Sequence, residues 1–209
     1  AIGFVIVAGG YGGGHVSGGA FNPAVALSLP AFSGGLGSSL AYVFFELLGA
    51  TMASAVYHAV RPDDFDRFAT GAPSEEYPTG SKLLSEFLGT FFLVLTVGLN
   101  VIGKSPAAAL SIAASLTSMV FALGSCSGAH FNPAVTAAIV ASGRGKCSVR
   151  DGFLYTMVQF LGGVAAGGTY RLIENGDSFP LGPGVGFSWW AAAFAEIIFT
   201  FLLCFVVLS

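Results

Sequence analysis

Two stretches decide how this chain of 209 residues folds: Ser17-Gly-Gly-Ala-Phe-Asn-Pro-Ala-Val25 and Ser127-Gly-Ala-His-Phe-Asn-Pro-Ala-Val135. In each, Asn-Pro-Ala follows a small, Gly-containing approach and precedes an apolar run. Asn is a favoured helix N-cap, and Pro at the next position gives up only an N–H that has no helical partner anyway. Each copy is therefore expected to launch a short apolar helix, over 23–29 and 133–141. Neither reaches the roughly 20 residues that a bilayer-spanning helix takes. One copy alone reads as a loop-to-helix turn of a soluble protein. Two copies with the same flanks point to half-helices dipping into a membrane.

The repeat is wider than the motif. Asn22 and Asn132 are 110 residues apart, and the same spacing separates Glu86-Phe-Leu-Gly-Thr-Phe-Phe-Leu from Glu196-Ile-Ile-Phe-Thr-Phe-Leu-Leu. Glu46-Leu-Leu-Gly-Ala and Gln159-Phe-Leu-Gly-Gly form a third pair. The repeating unit is a Glu-bearing helix, a second helix, an Asn-Pro-Ala half-helix and a Leu-Gly helix.

Composition agrees. Charged residues make up 9% of the chain and hydrophobic ones 54%, with a mean hydropathy of +0.78. Soluble domains carry roughly 25% charged residues, so this is an integral membrane protein. The 30 glycines suit close helix packing in lipid. A net charge of −3 with no basic patch gives no sign of a nucleic-acid partner. Cys126, Cys147 and Cys204 lack metal-ligand spacing and read as free thiols, and no cofactor is implied. Nor is a nucleophile grouped with a base and an orienting residue, which argues against an enzyme.

Spans are expected over 40–60, 83–102, 107–125, 153–173 and 189–208, with 1–14 as the end of a sixth. The fold class is thus an all-α membrane protein of six transmembrane helices and two re-entrant half-helices. Both chain ends fall inside apolar segments, as in a piece cut from something longer. The polar stretch 63–81 reads as an exposed loop rather than a cation site. Alternating the spans puts Arg61, Arg67, Lys82, Arg144, Lys146 and Arg150 on one face, and Lys104 and Arg171 on the other. The positive-inside rule makes the first face cytoplasmic. Three spans per repeat is an odd number, so the two copies must be inverted, with a site near the midplane at their interface.

The half-helices would then meet N-terminus to N-terminus. Their positive dipole ends, with the amides of Asn22 and Asn132, attract an uncharged oxygen and repel cations and excess protons. Irregular backbone before each motif, over 10–20 and 124–130, would line a wet lumen with carbonyl acceptors. Glu86 and Glu196 near the starts of matching spans have two readings. Accepting hydrogen bonds from the loop N–H groups is favoured over proton relay, because unpaired buried donors are costly. Glu46 has Gln159 as its counterpart, which leaves its role open. His15 and His130 read as loop-fixing donors, with pH gating at His15 as the rival.

At these residues the chain resembles the aquaporin, or major intrinsic protein, family. The double Asn-Pro-Ala carries the resemblance, together with Ser-Gly-Ala-His-Phe-Asn-Pro-Ala-Val-Thr at 127–136 and the paired Glu helices. It implies a tetramer with one pore per subunit, passing water or small neutral solutes passively. The order departs from the family's. Residues 1–60 resemble the second half (helix 5, half-helix E, helix 6), 61–82 a cytoplasmic linker, and 83–209 the first half plus helix 4. Either the order is a natural permutation, or the chain is one period of tandem units within one polypeptide; the tandem reading is favoured.

Carried over by offset from the two Asn residues, the family's selectivity filter falls on Gly10, Gly19, Val25 and Ile112. Strict water channels have Arg where Val25 stands. The apolar set implies a wide filter admitting glycerol, urea, ammonia or hydrogen peroxide beside water, as in vacuolar members lacking that Arg. The rival classes are an ion-coupled transporter, for which no charged pair at the midplane is evident, and a structural subunit keeping the fold without a working pore.

Overall fold

The computed structural model describes residues 77–142 and 146–177, with Ser188 and Val207 alone beyond them. Four helices lie in this part: α1 (Thr79–Ile102), α2 (Ala108–Ser127), α3 (Pro133–Ala141) and α4 (Val149–Ile173). No strand occurs among the described residues. α1 is central, packed against α4 and α2, and α3 lies on α4.

The core is built as a lipid-embedded protein requires. The buried residues of α1 are Ser81, Ser85, Glu86, Gly89, Thr90, Gly98, Leu99 and Asn100, small or polar with one exception. Phe92, Phe121, Phe160 and Val164 face outward instead. Lipid rewards apolar surface outside and leaves small-residue packing and hydrogen bonds to join the helices. Two helices, α1 and α2, are long and apolar enough to cross a membrane, each with a mean hydropathy of 1.7. Close approach has visible marks. A Cβ on Gly162 of α4 would stand 2.7 Å from the carbonyl oxygen of Phe87, so the α1 and α4 backbones nearly touch. One on Gly89 would run into the Phe131 ring.

Residue pairings give the directions. Thr96 bonds Ser115 and Asn100 bonds Ser111, so α1 and α2 are antiparallel. Glu86 meets Gln159, and Gly98 meets Tyr170, so α1 and α4 are parallel. Thr136 meets Gln159 and Val140 meets Gly152, so α3 runs back towards the start of α4. Lys82, Lys146 and Arg150 consequently lie towards one end of the assembly, with Lys104 and Arg171 towards the other.

The helix bounds differ instructively from the sequence expectation. The half-helix at 133–141 is as expected, because Asn132 caps it and Pro133 takes the first position. α1 and α4 each begin four residues earlier than the apolar runs, at Thr79 and Val149. For α4 the cause is a cap: Ser148 Oγ accepts from the Asp151 N–H at 3.0 Å and donates to Asp151 Oδ2 at 2.8 Å. The apolar run marks where the helix enters lipid, not where it starts. The expected irregular backbone over 124–130 is corrected: α2 stays helical through Ser127, and Gly128, at φ 90°, ends it. Its N–H bonds the Gly124 carbonyl at 3.0 Å, the left-handed stop for which Gly carries no Cβ penalty. Spans expected over 1–14, 40–60 and 189–208 and the half-helix over 23–29 lie outside the described residues.

Candidate functional site: the loop before the half-helix

Between α2 and α3 the chain passes through Gly128, Ala129, His130, Phe131 and Asn132. Ala129 and Phe131 sit at φ 52° and 51°, a left-handed conformation that costs a non-Gly residue roughly 1–2 kcal/mol. Such a conformation persists only where its surroundings over-determine it. Here the determinant is Glu86.

The Glu86 side chain is fully buried in the first third of α1, and four donors converge on it. Oε1 accepts from Ser127 Oγ at 2.6 Å and the His130 N–H at 3.0 Å. Oε2 accepts from the Phe131 N–H at 2.7 Å and Gln159 Nε2 at 2.9 Å. A carboxylate offers about four acceptor sites, and all are filled. Ser127 Oγ in turn accepts the Ala129 N–H at 3.1 Å, so three consecutive loop amides are satisfied by two side chains. Phe131 closes the loop's apolar side, packed with Leu123 and Cys126.

α4 braces the loop from the other side. Tyr155 Oη donates to the Ser127 carbonyl at 3.0 Å, and the His130 ring stands edge-on to the Tyr155 ring with centroids 5.1 Å apart. Thr136 Oγ1, one turn into α3, donates to the Asn132 carbonyl and accepts from Gln159 Nε2 at 3.0 Å. His130 Nδ1 is 3.1 Å from the same oxygen.

Asn132 itself is half-buried. Its Oδ1 accepts the Ala134 N–H at 2.8 Å, as an N-cap should, and its Nδ2 has no partner among the described residues. Gln159 lies six residues past Phe153, where the apolar run of α4 begins, about 9 Å along it at 1.5 Å per residue. The first turn of α3, tied to Gln159, therefore lies inside the roughly 30 Å hydrocarbon layer rather than at its edge.

Of the residues singled out from the sequence, Glu86, His130, Asn132, Pro133 and Ala134 come together here. Ile112 lies early in α2, half-buried and outside this cluster. Asn22, Pro23, Ala24, His15, Gly10, Gly19, Val25 and Glu196 lie outside the described residues. Sequence reasoning missed the parts of Tyr155, Thr136 and Ser127, and left Gln159 without a role. The available signal was two hydrogen-bonding side chains four residues apart in α4, which share one helix face.

The chain matches the sequence profile of the major intrinsic protein family over residues 1–102 and again over 98–209. It belongs to that family. Membership brings with it the aquaporin fold and an integral-membrane location. Aquaporin NIP1-1 of Zea mays is 35% identical over 161 residues, covering 70% of this chain and 55% of the relative. Glycerol uptake facilitator protein-like 6 of Lactiplantibacillus plantarum is 34% identical over 142 residues, 61% of this chain and 62% of the relative. Aquaporin Z of Brucella melitensis is 31% identical over 154 residues, 62% and 64% respectively. The chain thus spans between about half and two thirds of the length of these relatives. No solved structure matches it.

Proposed function

We propose that the protein is a passive channel, not an enzyme, for water and small neutral solutes such as glycerol, urea, ammonia and hydrogen peroxide. The observation that carries this reading is Asn132: its Oδ1 caps α3 while its Nδ2 donor has no partner among the described residues, beside the positive end of the α3 dipole. Water or a hydroxyl oxygen accepts from that donor. A hydrated cation or excess proton meets a positive potential and gains no acceptor. The names of the relatives, aquaporins and a glycerol uptake facilitator, favour the same class of cargo.

In this reading Asn22, Pro23 and Ala24 build the opposing half-helix from within 1–60, and the stretch from 61 links it to the first-half-type unit, whose α1 begins at Thr79. Glu196 and His15 support that second loop as Glu86 and His130 support the first. Gly10, Gly19, Val25 and Ile112 form a wide, apolar filter. The pore is assembled within lipid, in a homotetramer or between tandem units of one polypeptide.

The test is stopped-flow light scattering on proteoliposomes of the full-length protein. Rapid shrinkage in an impermeant osmolyte and re-swelling in glycerol and urea are expected, both lost in the Asn22→Asp/Asn132→Asp variant. Water flux without solute entry would disprove the wide filter. Flux no greater than in empty liposomes would replace the channel by a structural subunit.

A further inference from the structure

Glu86 accounts for the loop's N–H groups, but nothing on α1 fixes where α3 points. That connection comes from α4. Gln159 is 1% exposed, and its amide NH₂ spends one hydrogen on Glu86 Oε2 and the other on Thr136 Oγ1, at 2.9 and 3.0 Å. Among the described residues no other side chain bonds both the buried carboxylate and the half-helix. One turn earlier on the same face, Tyr155 holds the last carbonyl of α2. This i, i+4 pair therefore fixes the entry to the loop and its exit into α3. We propose that Gln159 is a positioning residue for permeation: by tying Glu86 to Thr136 it sets the direction of α3 and so the placement of the Asn132 amide. The proposal rests on the channel reading above. Its chemical requirement is specific, since only a side chain with two donors at that point serves both acceptors.

A merely structural role and a positioning role separate on the Gln159→Glu variant. The introduced carboxyl stands at hydrogen-bond distance from Glu86 Oε2, and two carboxylates that close resist ionising together. At low pH the pair holds one proton taken from solvent, and an O–H···O bond replaces the N–H···O bond to Glu86 while the bond donated to Thr136 is lost. As pH rises the proton returns to solvent and the two groups repel. The titratable groups that interact with Glu86 are His130 from the loop, Tyr155 on α4 and Cys147 in the turn before it; Asp151 and Cys126 in turn act on Tyr155, and Lys82 on Cys147. All are shared with the wild type, so the ratio of variant to wild-type flux isolates the new carboxyl.

The experiment measures water flux and proton leak against pH in proteoliposomes of the full-length protein, with infrared spectra of the same samples. The expected ratio is highest, though below one, at the acid end and falls by about a further tenfold as pH rises, the factor that ~1.4 kcal/mol of lost positioning produces. A protonated-carboxyl band present in the variant should vanish over the same range. A wild type that conducts, with a flux ratio that stays flat while the band titrates, would overturn the proposal. A wild type that does not conduct would overturn the channel reading, and the band alone would then show whether the Gln159–Glu86 contact exists. Should the acid variant fail to reconstitute, Gln159→Met decides: lowered flux with raised proton leak is expected, and wild-type behaviour in both contradicts the positioning role.

Discussion

Glu86 and Asn100 lie on the same helix, both buried, and each joins α1 to a neighbour, yet they are built on opposite terms. The Glu86 carboxylate receives four donors from three separate parts of the chain: the end of α2, the loop after it, and α4. Asn100 donates to the Thr96 carbonyl at 2.8 Å and Ser111 Oγ at 2.9 Å, while its Oδ1 is buried with no partner among the described residues. Beside it Thr96 Oγ1 donates to Ser115 Oγ at 3.1 Å, completing a neutral ladder between α1 and α2. Helices satisfy their own backbones, so a ladder between two helices adds only side-chain terms, about 0.6 kcal/mol each in lipid. A loop inside the membrane has no such internal supply, and its N–H groups depend on an acceptor brought from elsewhere. The two clusters teach that buried polarity organises this protein only where the backbone is irregular.

That contrast can be broken from either side. Glu86→Ala strips the acceptor from four buried donors, each worth about 1–3 kcal/mol when left unmade. We expect flux at the level of empty liposomes and a loss of about 4 kcal/mol or more of stability in detergent unfolding. Gly162→Leu forces the α1 and α4 backbones apart and should cost about 3 kcal/mol, an overpacking effect read from the same unfolding curves. Because Gln159 moves with α4, flux should fall too, although no hydrogen-bonding group has been removed.

Thr136→Val keeps the shape and deletes one hydroxyl. It orphans one Gln159 hydrogen and leaves Glu86 intact, so about 1–2 kcal/mol is expected to be lost, with flux lowered but not abolished. Asn100→Leu sharpens the comparison from the other cluster. It forfeits the bond to Ser111 but also removes the unpartnered Oδ1, so stability should stay within about 1 kcal/mol and flux should be unchanged. A large loss of flux in Asn100→Leu would place the upper ladder in the permeation machinery and end the distinction drawn here.

The same contrast explains what the sequence made legible. The half-helix at 133–141 could be read to the residue, because Asn-Pro encodes its own start through a cap and a fixed φ. Glu86 could be expected to serve the loop N–H groups because a buried acid and a set of needy donors were both evident. Gln159 and Tyr155 could not be assigned, since their partners become neighbours only once α1 and α4 pack in parallel. The starts of α1 and α4 were missed because capping residues lie outside the apolar runs that hydropathy detects. Gly124 reads as irregular backbone in the sequence, yet a glycine inside a helix costs only about 1 kcal/mol, and Gly128 is the residue that stops α2.

The central claim is that the Glu86 carboxylate holds the loop N–H groups in a fixed geometry ahead of Asn132. Hydrogen exchange of the His130 and Phe131 amides, measured on the protein in bilayers, tests it most directly. Both amides should exchange as slowly as those in the middle of α1, and both should become fast in Glu86→Ala while the α1 interior stays protected. Rapid exchange at His130 and Phe131 in the wild type, or slow exchange that survives the loss of the carboxylate, would contradict it.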